Sequence, residues 1–237
     1  MQRLIRWQDK ILKIMAGKAD DFALGGGTAL SGSYFHHRQS FDLDFFMLDF
    51  NRKPILQLMS FISDSLDKEF KLISEQVGKK KVRIMVFSIT LNKNIILKIG
   101  FIEDYIRRLK PVKQIDGIRV LALEDIYLRK LYAIAGTIET VDSTGRAILI
   151  GGRQEAKDFF DLYFLSHTFM NLSDFVFRYC EMSMQEALIR WFRTYPRLDI
   201  KTGLLELSTK NKFDYHAMEN HFKNEIGRLL EKQIGDI

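Results

Sequence analysis

The chain has 237 residues, 46% of them hydrophobic, which is enough apolar material for one large domain or two small ones. Lys and Arg number 36 against 30 Asp and Glu, and this net charge of +6 permits a polyanionic partner such as RNA without establishing one. The sequence has no recognisable secretory signal, no apolar run near the ~20 residues that span a bilayer, and a single cysteine, which excludes an internal disulfide. We therefore expect a cytoplasmic protein with no membrane partner.

Hydrophobic periodicity predicts alternating helices and strands in the first half of the chain. The predicted helices cover residues 3–17, 28–34 and 55–66, and the predicted strands cover residues 22–24, 41–47, 70–77, 82–89 and 95–101. A turn at 78–80 should join two of these strands into a hairpin. In the strand at 41–47, Phe41, Leu43 and Phe45 should share one face and pack in the core.

The second half of the chain is mainly helical in pattern. An extended segment at 117–121 leads into a helix at 123–135, and a Gly- and Thr-rich stretch at 136–152 predicts a surface hairpin. A helix follows at 154–166, and the chain beyond residue 172 is helical in pattern. We predict an α+β fold with two domains: a mixed-sheet core at 1–115 and a mainly helical domain at 116–237 that completes the active site.

Asp42 and Asp44 are candidate metal ligands. Residues two apart on a strand project from the same face, so the two carboxylates should lie side by side. Neighbouring carboxylates repel each other unless a cation lies between them. Mg²⁺, or Mn²⁺ in its place, meets this need, because Mg²⁺ is commonly bound by one or two carboxylates together with substrate phosphates.

The glycines before this strand predict a phosphate-binding turn. A strand that ends in Gly26 and Gly27 and passes directly into a helix exposes backbone N–H groups near the positive end of the helix dipole. Thr28 adds a hydroxyl at the start of that helix. The turn and the carboxylate pair together would hold a metal-bound nucleoside triphosphate, as phosphoryl and nucleotidyl transfer require. Each motif alone is common, so the prediction depends on their order and close spacing.

The loop between the two motifs contains Arg38 and Ser40. Arg38 is expected to contact the carboxylates or a phosphate, and Ser40 either binds nucleotide or stabilises the loop.

A second polar cluster lies on the later helices. Arg153 and Lys157 are four residues apart, and Asp158 and Asp161 are three apart, so each pair should share a face of one helix. The same pattern is typical of a salt-bridged solvent face, and Lys130 has this alternative too.

These positions belong to a longer pattern. Its segments are Gly26-Gly27-Thr28-Ala29-Leu30, Tyr34-x-x-His37-Arg38-x-Ser40-x-Asp42-Leu43-Asp44-Phe45-Phe46, Gly117-Ile118-x-Val120, Leu128-x-Lys130-Leu131-Tyr132-Ala133-Ile134 and Arg153-x-x-x-Lys157-Asp158-Phe159-Phe160-Asp161-Leu162-Tyr163. The combination resembles the AbiEii/AbiGii toxin family of nucleotidyltransferases. The resemblance covers roughly residues 20–167 and leaves the last helices without a matching motif.

The resemblance implies a DNA polymerase β-like nucleotidyltransferase core followed by a helical C-terminal region. It also implies a toxin of a toxin–antitoxin or phage-abortive system, with a cognate antitoxin, that transfers a nucleotide to an acceptor hydroxyl such as the 3′ end of tRNA. By resemblance, Asp42 and Asp44 bind the metal and triphosphate, Lys130 contacts a phosphate, and Asp158 activates the acceptor hydroxyl. The expected nucleotide-binding residues are Gly26, Gly27, Thr28, Arg38, Ser40, Arg153 and Lys157.

The sequence departs from this fold's usual pattern at Gly100. Nucleotidyltransferases of this fold often carry a third carboxylate on a later strand, and Gly100 occupies the position where we expect it. Glu103, Asp104 or Asp158 are alternative sources of that acid. If none serves, the protein binds a nucleotide without turning it over. A further alternative is an enzyme of the same fold that modifies a small molecule or a protein. A purely structural protein would require the aspartate pair to be accidental.

Overall fold

The first of two units in the structure, Met1–Ile126, is built around a seven-stranded mixed sheet. The computed structural model describes residues 2–17, 21–78, 81–92, 95–210 and 212–235. The strands are β1 Ala23–Gly25, β2 Asp42–Met47, β3 Lys71–Gly78, β4 Lys81–Asn92, β5 Ile95–Glu103, β6 Lys113–Ile115 and β7 Ile118–Val120. Their order in the sheet is β3-β4-β5-β2-β1-β7-β6. Strand β2 runs parallel to β5 and antiparallel to β1, so it lies at the centre of the sheet.

One face of this sheet is buried and the other is partly open. The buried face consists of alternate apolar residues, all 4% exposed or less: Leu43, Phe45, Met47, Met85, Phe87, Ile89, Leu97, Ile99 and Phe101. Helices α1 (Gln2–Met15) and α3 (Arg52–Leu66) contact each other and add buried residues to this core, among them Ile11 and Ile55. The intervening residues of β2, including Asp42 and Asp44, lie on the half-exposed face.

A short helix connects β1 to the loop before β2. It begins as α2 (Gly26–Thr28) and continues as a π-helical segment, Ala29–Tyr34, in which the Phe35 N–H donates to the Leu30 carbonyl. Such π-helical turns are rare and occur often at functional sites. The predicted helix at 28–34 is therefore confirmed, with an earlier start.

The second unit, Tyr127–Ile237, is helical apart from one hairpin. Its elements, together with the helix that enters it, are α4 Leu123–Ala135, β8 Gly136–Val141, β9 Ala147–Gly151, α5 Ala156–Thr168, α6 Leu172–Tyr179, α7 Met182–Thr194, α8 Arg197–Glu206 and α9 Tyr215–Gly235. An aromatic cluster forms its core: the ring centroids of Phe159 and Phe222 lie 4.8 Å apart, and those of Tyr127 and Phe175 lie 4.1 Å apart. Phe159 belongs to α5, so this helix packs in the core of the unit, which explains why most of its circumference is apolar.

The structure corrects some of the predicted boundaries. The boundary between the two compact units falls after Ile126, whereas the sequence suggested a soft boundary near residue 115; β6 and β7 pair with each other, and β7 joins β1 in the sheet. Phe41 is 42% exposed and precedes β2, so its predicted core position is wrong. Helix α5 begins at Ala156, later than predicted, and the predicted hairpin at 136–152 is confirmed. Residues 79 and 80 of the predicted 78–80 turn lie outside the described residues.

Across the described ranges, no helix combines the length and the apolar character required to span a membrane.

Candidate active site

The glycine turn brings the backbone into direct contact with Asp44. Gly26 has φ +63, a conformation that strongly favours glycine. A Cβ atom at residue 26 would lie 2.9 Å from Asp44 Oδ2, so only glycine leaves the carboxylate in its present position. At Gly27, a Cβ would lie 2.5 Å from Arg38 Nη2 and 3.0 Å from Ser40 Oγ. The turn is thus surrounded by a carboxylate, a guanidinium group and a hydroxyl.

Asp42 and Asp44 lie where the sequence predicted, on the same face of a central strand. Asp44 is in antiparallel register with Gly25 and in parallel register with Gly100. The Thr28 hydroxyl donates a hydrogen bond to the Asp42 carbonyl, which ties the start of the helix to the start of β2. Both aspartates are half-buried, so part of each residue remains accessible on this face of the sheet.

The loop before β2 holds Arg38 and Ser40 against the turn. Arg38 is 7% exposed, and its Nη1 donates to the Gln39 carbonyl at 2.9 Å. The Gln8 side chain, from α1, donates to the Ser40 carbonyl at 3.1 Å. These contacts bring both residues next to Gly27, although the sequence separates them from it by more than ten positions.

A cavity of about 440 Å³ opens beside this turn. Its walls include Thr28, Arg38, Gln39 and Ser40, with Leu12 of α1 on the apolar side. Small-molecule sites in proteins usually fall between ~300 and 1,000 Å³, so the cavity has room for a ligand fragment such as a nucleoside. It lies within the first unit and adjoins three of the predicted nucleotide-binding residues.

The position of the expected third acid is occupied by Gly100 in the structure. Its partner in register on β2 is Asp44, and a Cβ at residue 100 would lie 3.1 Å from Asp44 Oδ1. A side chain at this position would therefore press on the carboxylate. Within the described ranges, no group of three or more His, Cys, Asp or Glu side chains could hold a metal ion.

The two nearby alternatives for that acid are engaged elsewhere. Glu103 is in register with Met47, whereas Gly100 is in register with Asp44. Glu103 therefore lies three residues, or about 10 Å, further along the strand than Gly100. It accepts a hydrogen bond at 2.6 Å from Arg83, which lowers the pKa of Glu103. The carboxylate of Asp104 is bound at 2.8 Å by Arg108. In this structure both carboxylates are therefore paired with arginines.

The second unit contains a buried cluster of charges. Lys130 Nζ lies 2.7 Å from Asp158 Oδ1 and 2.6 Å from Asp161 Oδ2. Lys130 is 5% exposed, and both aspartates are completely buried. Arg153 also binds Asp158, with Nε–Oδ2 at 2.5 Å and Nη2–Oδ1 at 3.1 Å. The solvent-face interpretation of Lys130, Asp158 and Asp161 is therefore wrong.

This cluster keeps Asp158 ionised. Burial alone would raise the pKa of Asp158, but the charges and hydrogen bonds of Lys130 and Arg153 outweigh burial and lower it. Both carboxylate oxygens accept charge-assisted hydrogen bonds, which are about twice as strong as neutral ones. Asp158 consequently forms strong ion pairs with both Lys130 and Arg153.

The hairpin determines the position of Arg153. The Arg153 N–H donates to the Ala133 carbonyl of α4 at 2.8 Å, so the chain returns from the hairpin beside the helix that carries Lys130. Arg153 precedes α5, so the predicted shared helical face with Lys157 does not exist. Lys157 instead pairs with Glu155 at 2.8 Å on the surface, as the solvent-face alternative expects.

The sequence grouped Asp161 with Asp158 but assigned no role to it. The structure buries its carboxylate and places Oδ2 2.6 Å from Lys130 Nζ. Arg129, 8% exposed and adjacent to Lys130, was also missed, since a lone arginine on a helix carries no signal of burial.

A family model described as "Nucleotidyl transferase AbiEii toxin, Type IV TA system" matches residues 10–235. The chain belongs to the AbiEii family of nucleotidyltransferase toxins. This confirms the resemblance, the enzyme class and the toxin–antitoxin assignment predicted from the sequence, and the AbiEii match extends to the last helices, where no motif was visible.

The solved structures that resemble the fold of this AbiEii protein include one from Helicobacter pylori and one from Mycobacterium tuberculosis. JHP933 from Helicobacter pylori is 19% identical with a TM-score of 0.58, and the alignment covers 99% of this chain and 95% of that one. MenT4, a nucleotidyltransferase toxin from Mycobacterium tuberculosis H37Rv, is 14% identical with a TM-score of 0.58, covering 96% and 83%. No curated protein matches the chain. The similarity to MenT4 confirms the α+β nucleotidyltransferase fold class.

Proposed function

We propose that this AbiEii family member is a Mg²⁺-dependent nucleotidyltransferase that moves a nucleoside monophosphate from a nucleoside triphosphate to an acceptor hydroxyl of RNA, at the 3′ end of tRNA. The observation that carries the proposal is the contact between the glycine turn and the aspartate pair. Asp42 and Asp44 share one face of β2, and the Asp44 carboxylate lies directly against Gly26.

The donor set at β2 fits a hard divalent cation. Two carboxylate oxygens on one sheet face match the one or two carboxylates that Mg²⁺ usually takes from a protein, with the remaining positions filled by phosphate oxygens and water. When bound, such an ion neutralises the negative charge of the phosphates. Asp42 and Asp44 would hold it, and Gly100 leaves space beside Asp44.

The turn beside the aspartates would bind the polyphosphate. Gly26 and Gly27 present backbone without side chains, and Arg38 supplies a guanidinium group next to Gly27. An arginine fork suits phosphate oxygens, and Ser40 adds a hydroxyl. Thr28 is committed to the Asp42 carbonyl, which makes its contribution the positioning of β2 against the turn.

The residues of the second unit have roles that follow from family resemblance. Lys130 would contact a phosphate, and Arg153 and Lys157 would add cationic contacts to the nucleotide. Asp158 would accept the proton of the acceptor hydroxyl. In the structure Asp158 is buried, and the charges and hydrogen bonds of Lys130 and Arg153 lower its pKa, so the ion pairs keep it ionised. An ionised carboxylate is the form that a proton acceptor requires.

The test is incubation of the purified protein with each α-³²P-labelled nucleoside triphosphate, Mg²⁺ and total tRNA, followed by a denaturing gel. We expect label on tRNA with one nucleotide and none with the Asp42→Asn variant. Label transfer that persists in Asp42→Asn would contradict the role of the aspartate pair. Label that appears on a small molecule or on protein without added RNA would contradict the proposal that RNA is the acceptor.

The absence of an acid at residue 100 favours a second candidate function, a nucleotide-binding protein without turnover. That candidate predicts triphosphate binding in isothermal titration and no pyrophosphate release with any acceptor. A cognate antitoxin in the cytoplasm is the protein partner that family membership suggests for either candidate. Copurification of the coexpressed antitoxin with this chain tests that partner directly.

A further inference from the structure

Three polar residues lie in one row across the open face of the sheet and lead to Asp42. The Cα register pairs Lys71 of β3 with Ser88 of β4, Ser88 with Lys98 of β5, and Lys98 with Asp42 of β2. Residues in register on neighbouring strands project from the same face. We call Lys71, Ser88 and Lys98 the lysine row.

The lysine row lies on the accessible face. Lys71 and Lys98 are exposed and Ser88 is half-buried, whereas the residues that alternate with them, such as Phe87 and Ile99, are buried in the core. Strands lie about 4.8 Å apart, so the row runs over about 14 Å from β3 to β2. Two ammonium groups and a hydroxyl at this spacing present donors along a line.

The net charge of the protein supports an anionic ligand for this unit. The first unit contains 21 Lys and Arg against 15 Asp and Glu, and the second contains 15 of each. The whole excess of +6 therefore belongs to the unit that carries the sheet. Such an excess attracts nucleic acid through its phosphates.

The sheet order separates the lysine row from the glycine turn. Strand β1, which ends in the turn, lies on one side of β2, and β5, β4 and β3 lie on the other. In phosphoryl and nucleotidyl transfer, the attacking and leaving oxygens are roughly in line, on opposite sides of the reacting phosphorus. If the triphosphate lies at the turn, the acceptor approaches from the side of the lysine row.

We propose that the lysine row binds the backbone phosphates of the acceptor RNA strand and directs its terminal hydroxyl towards Asp42. The inference rests on the proposed function and adds a binding surface to it. Lysine suits this task because it binds phosphates as a mobile point charge and does not read base sequence. The row thus contributes affinity for RNA without selecting which RNA.

The test measures binding and needs no turnover. A 5′-fluorescein-labelled single-stranded oligoribonucleotide is titrated with wild-type protein, with the double variant Lys71→Ala/Lys98→Ala, and with the control Lys53→Ala. Lys53 is exposed on α3, which packs in the buried core of the same unit. The titrations are repeated over a range of salt concentrations by fluorescence anisotropy, and triphosphate affinity is measured separately by isothermal titration.

We expect the double variant to bind the oligoribonucleotide at least about 10-fold more weakly at low salt, with a salt dependence smaller by about 0.7 per lysine removed. Lys53→Ala should bind RNA nearly as the wild type does, and triphosphate affinity should be unchanged in all three proteins. Unaltered RNA binding in the double variant would overturn the inference. So would a loss confined to triphosphate binding, which would assign the row to the nucleotide.

The two proposals fail in distinguishable ways. RNA binding that depends on the lysine row, with no label transferred to any RNA, would contradict nucleotidyl transfer to RNA and leave the binding surface intact. Label transferred to RNA with equal efficiency by the double variant at subsaturating RNA would contradict the row and leave the proposed function intact. An equal loss of RNA binding in Lys53→Ala would mean that net charge alone explains the weaker binding. That result would also contradict the proposed role of the lysine row.

Discussion

Two pairs of aspartates in this protein meet the same electrostatic problem in different ways. Asp158 and Asp161 are completely buried on α5, and Lys130 binds both of them within the protein itself. Asp42 and Asp44 are half-buried on β2, on the accessible face of the sheet. The first pair belongs to a buried ion cluster, and the second lies on the half-exposed face of the sheet.

The difference shows that burial determines which carboxylates must be neutralised by the fold. An ionised carboxylate removed from water costs several kcal/mol unless a cation and hydrogen bonds compensate for it. A half-exposed carboxylate keeps part of its hydration, so it depends less on a cation supplied by the protein. The proposed metal site lies at this half-exposed pair, where part of each residue remains open to solvent.

The largest effect should follow from Lys130→Met. This change leaves Asp158 and Asp161 buried beside each other without their shared cation, and such losses cost about 3–5 kcal/mol. Urea unfolding followed by circular dichroism measures the free energy of unfolding. A loss below about 1 kcal/mol would mean that the cluster is not buried in solution.

Asp42→Asn should separate activity from stability. It removes one of two neighbouring charges at a half-buried position, so the free energy of unfolding should change by less than about 1 kcal/mol. If the pair holds the metal, nucleotidyl transfer should fall by about 10³-fold, since such an ion contributes several kcal/mol. Rates from label transfer and urea midpoints from the same preparation provide the comparison. A large loss of stability that accompanies the loss of transfer rate would indicate a structural role for Asp42.

Gly26→Ala should disturb the glycine turn itself. Alanine at φ +63 costs about 1–2 kcal/mol, and its Cβ would displace the Asp44 carboxylate 2.9 Å away. We expect lower stability together with weaker Mn²⁺ binding, measured by electron paramagnetic resonance. Gly32→Ala is the matched control, because a Cβ at Gly32 meets no atom within 4 Å. Equal effects in both variants would contradict the special role of Gly26.

Acid should weaken the buried pair in a predictable direction. The pKa of Asp158 is lowered in the folded protein, so its ionised form contributes stability above its unfolded pKa of about 4, and this is lost as the pH falls through the folded value. The stability difference between wild type and Asp158→Asn should therefore shrink below about pH 4. A difference that grows on acidification would contradict the assigned ion pairs.

Lys157→Met should have the smallest effect. Its partner Glu155 is also exposed, and exposed ion pairs contribute about 0–1 kcal/mol. The comparison with Lys130→Met then measures how much burial adds to a lysine–carboxylate contact. A loss of nucleotide affinity in Lys157→Met with unchanged stability would support its proposed contact with the nucleotide.

The sequence predicted local structure and the first aspartate pair well. Alternation over β2 predicted that Leu43 and Phe45 are buried and that Asp42 and Asp44 share the other face, because strand geometry alone determines this. The same alternation failed at Phe41, because strand pairing begins only at Asp42 and leaves the phenyl ring exposed.

The second pair could not be predicted in the same way. The i, i+3 spacing of Asp158 and Asp161 indicates a shared helical face and leaves open whether that face meets water or protein. Their partner Lys130 is 28 residues from Asp158 in the chain, and only the packing of α5 beside α4 brings them together. The lysine row could not be predicted either, because it depends on how residues of neighbouring strands pair, and the sequence of a single strand does not specify that pairing.

The length of the β8–β9 hairpin does not determine where Arg153 lies in the second unit. Gly136 is paired with Gly151, so the two ends of the hairpin meet, and the Arg153 N–H then bonds to α4 at Ala133. Residues added to or removed from its tip near residue 144 would change how far it projects without moving Arg153 from Asp158. The tip is thus a suitable point for attaching a fluorophore, with the charge cluster left intact.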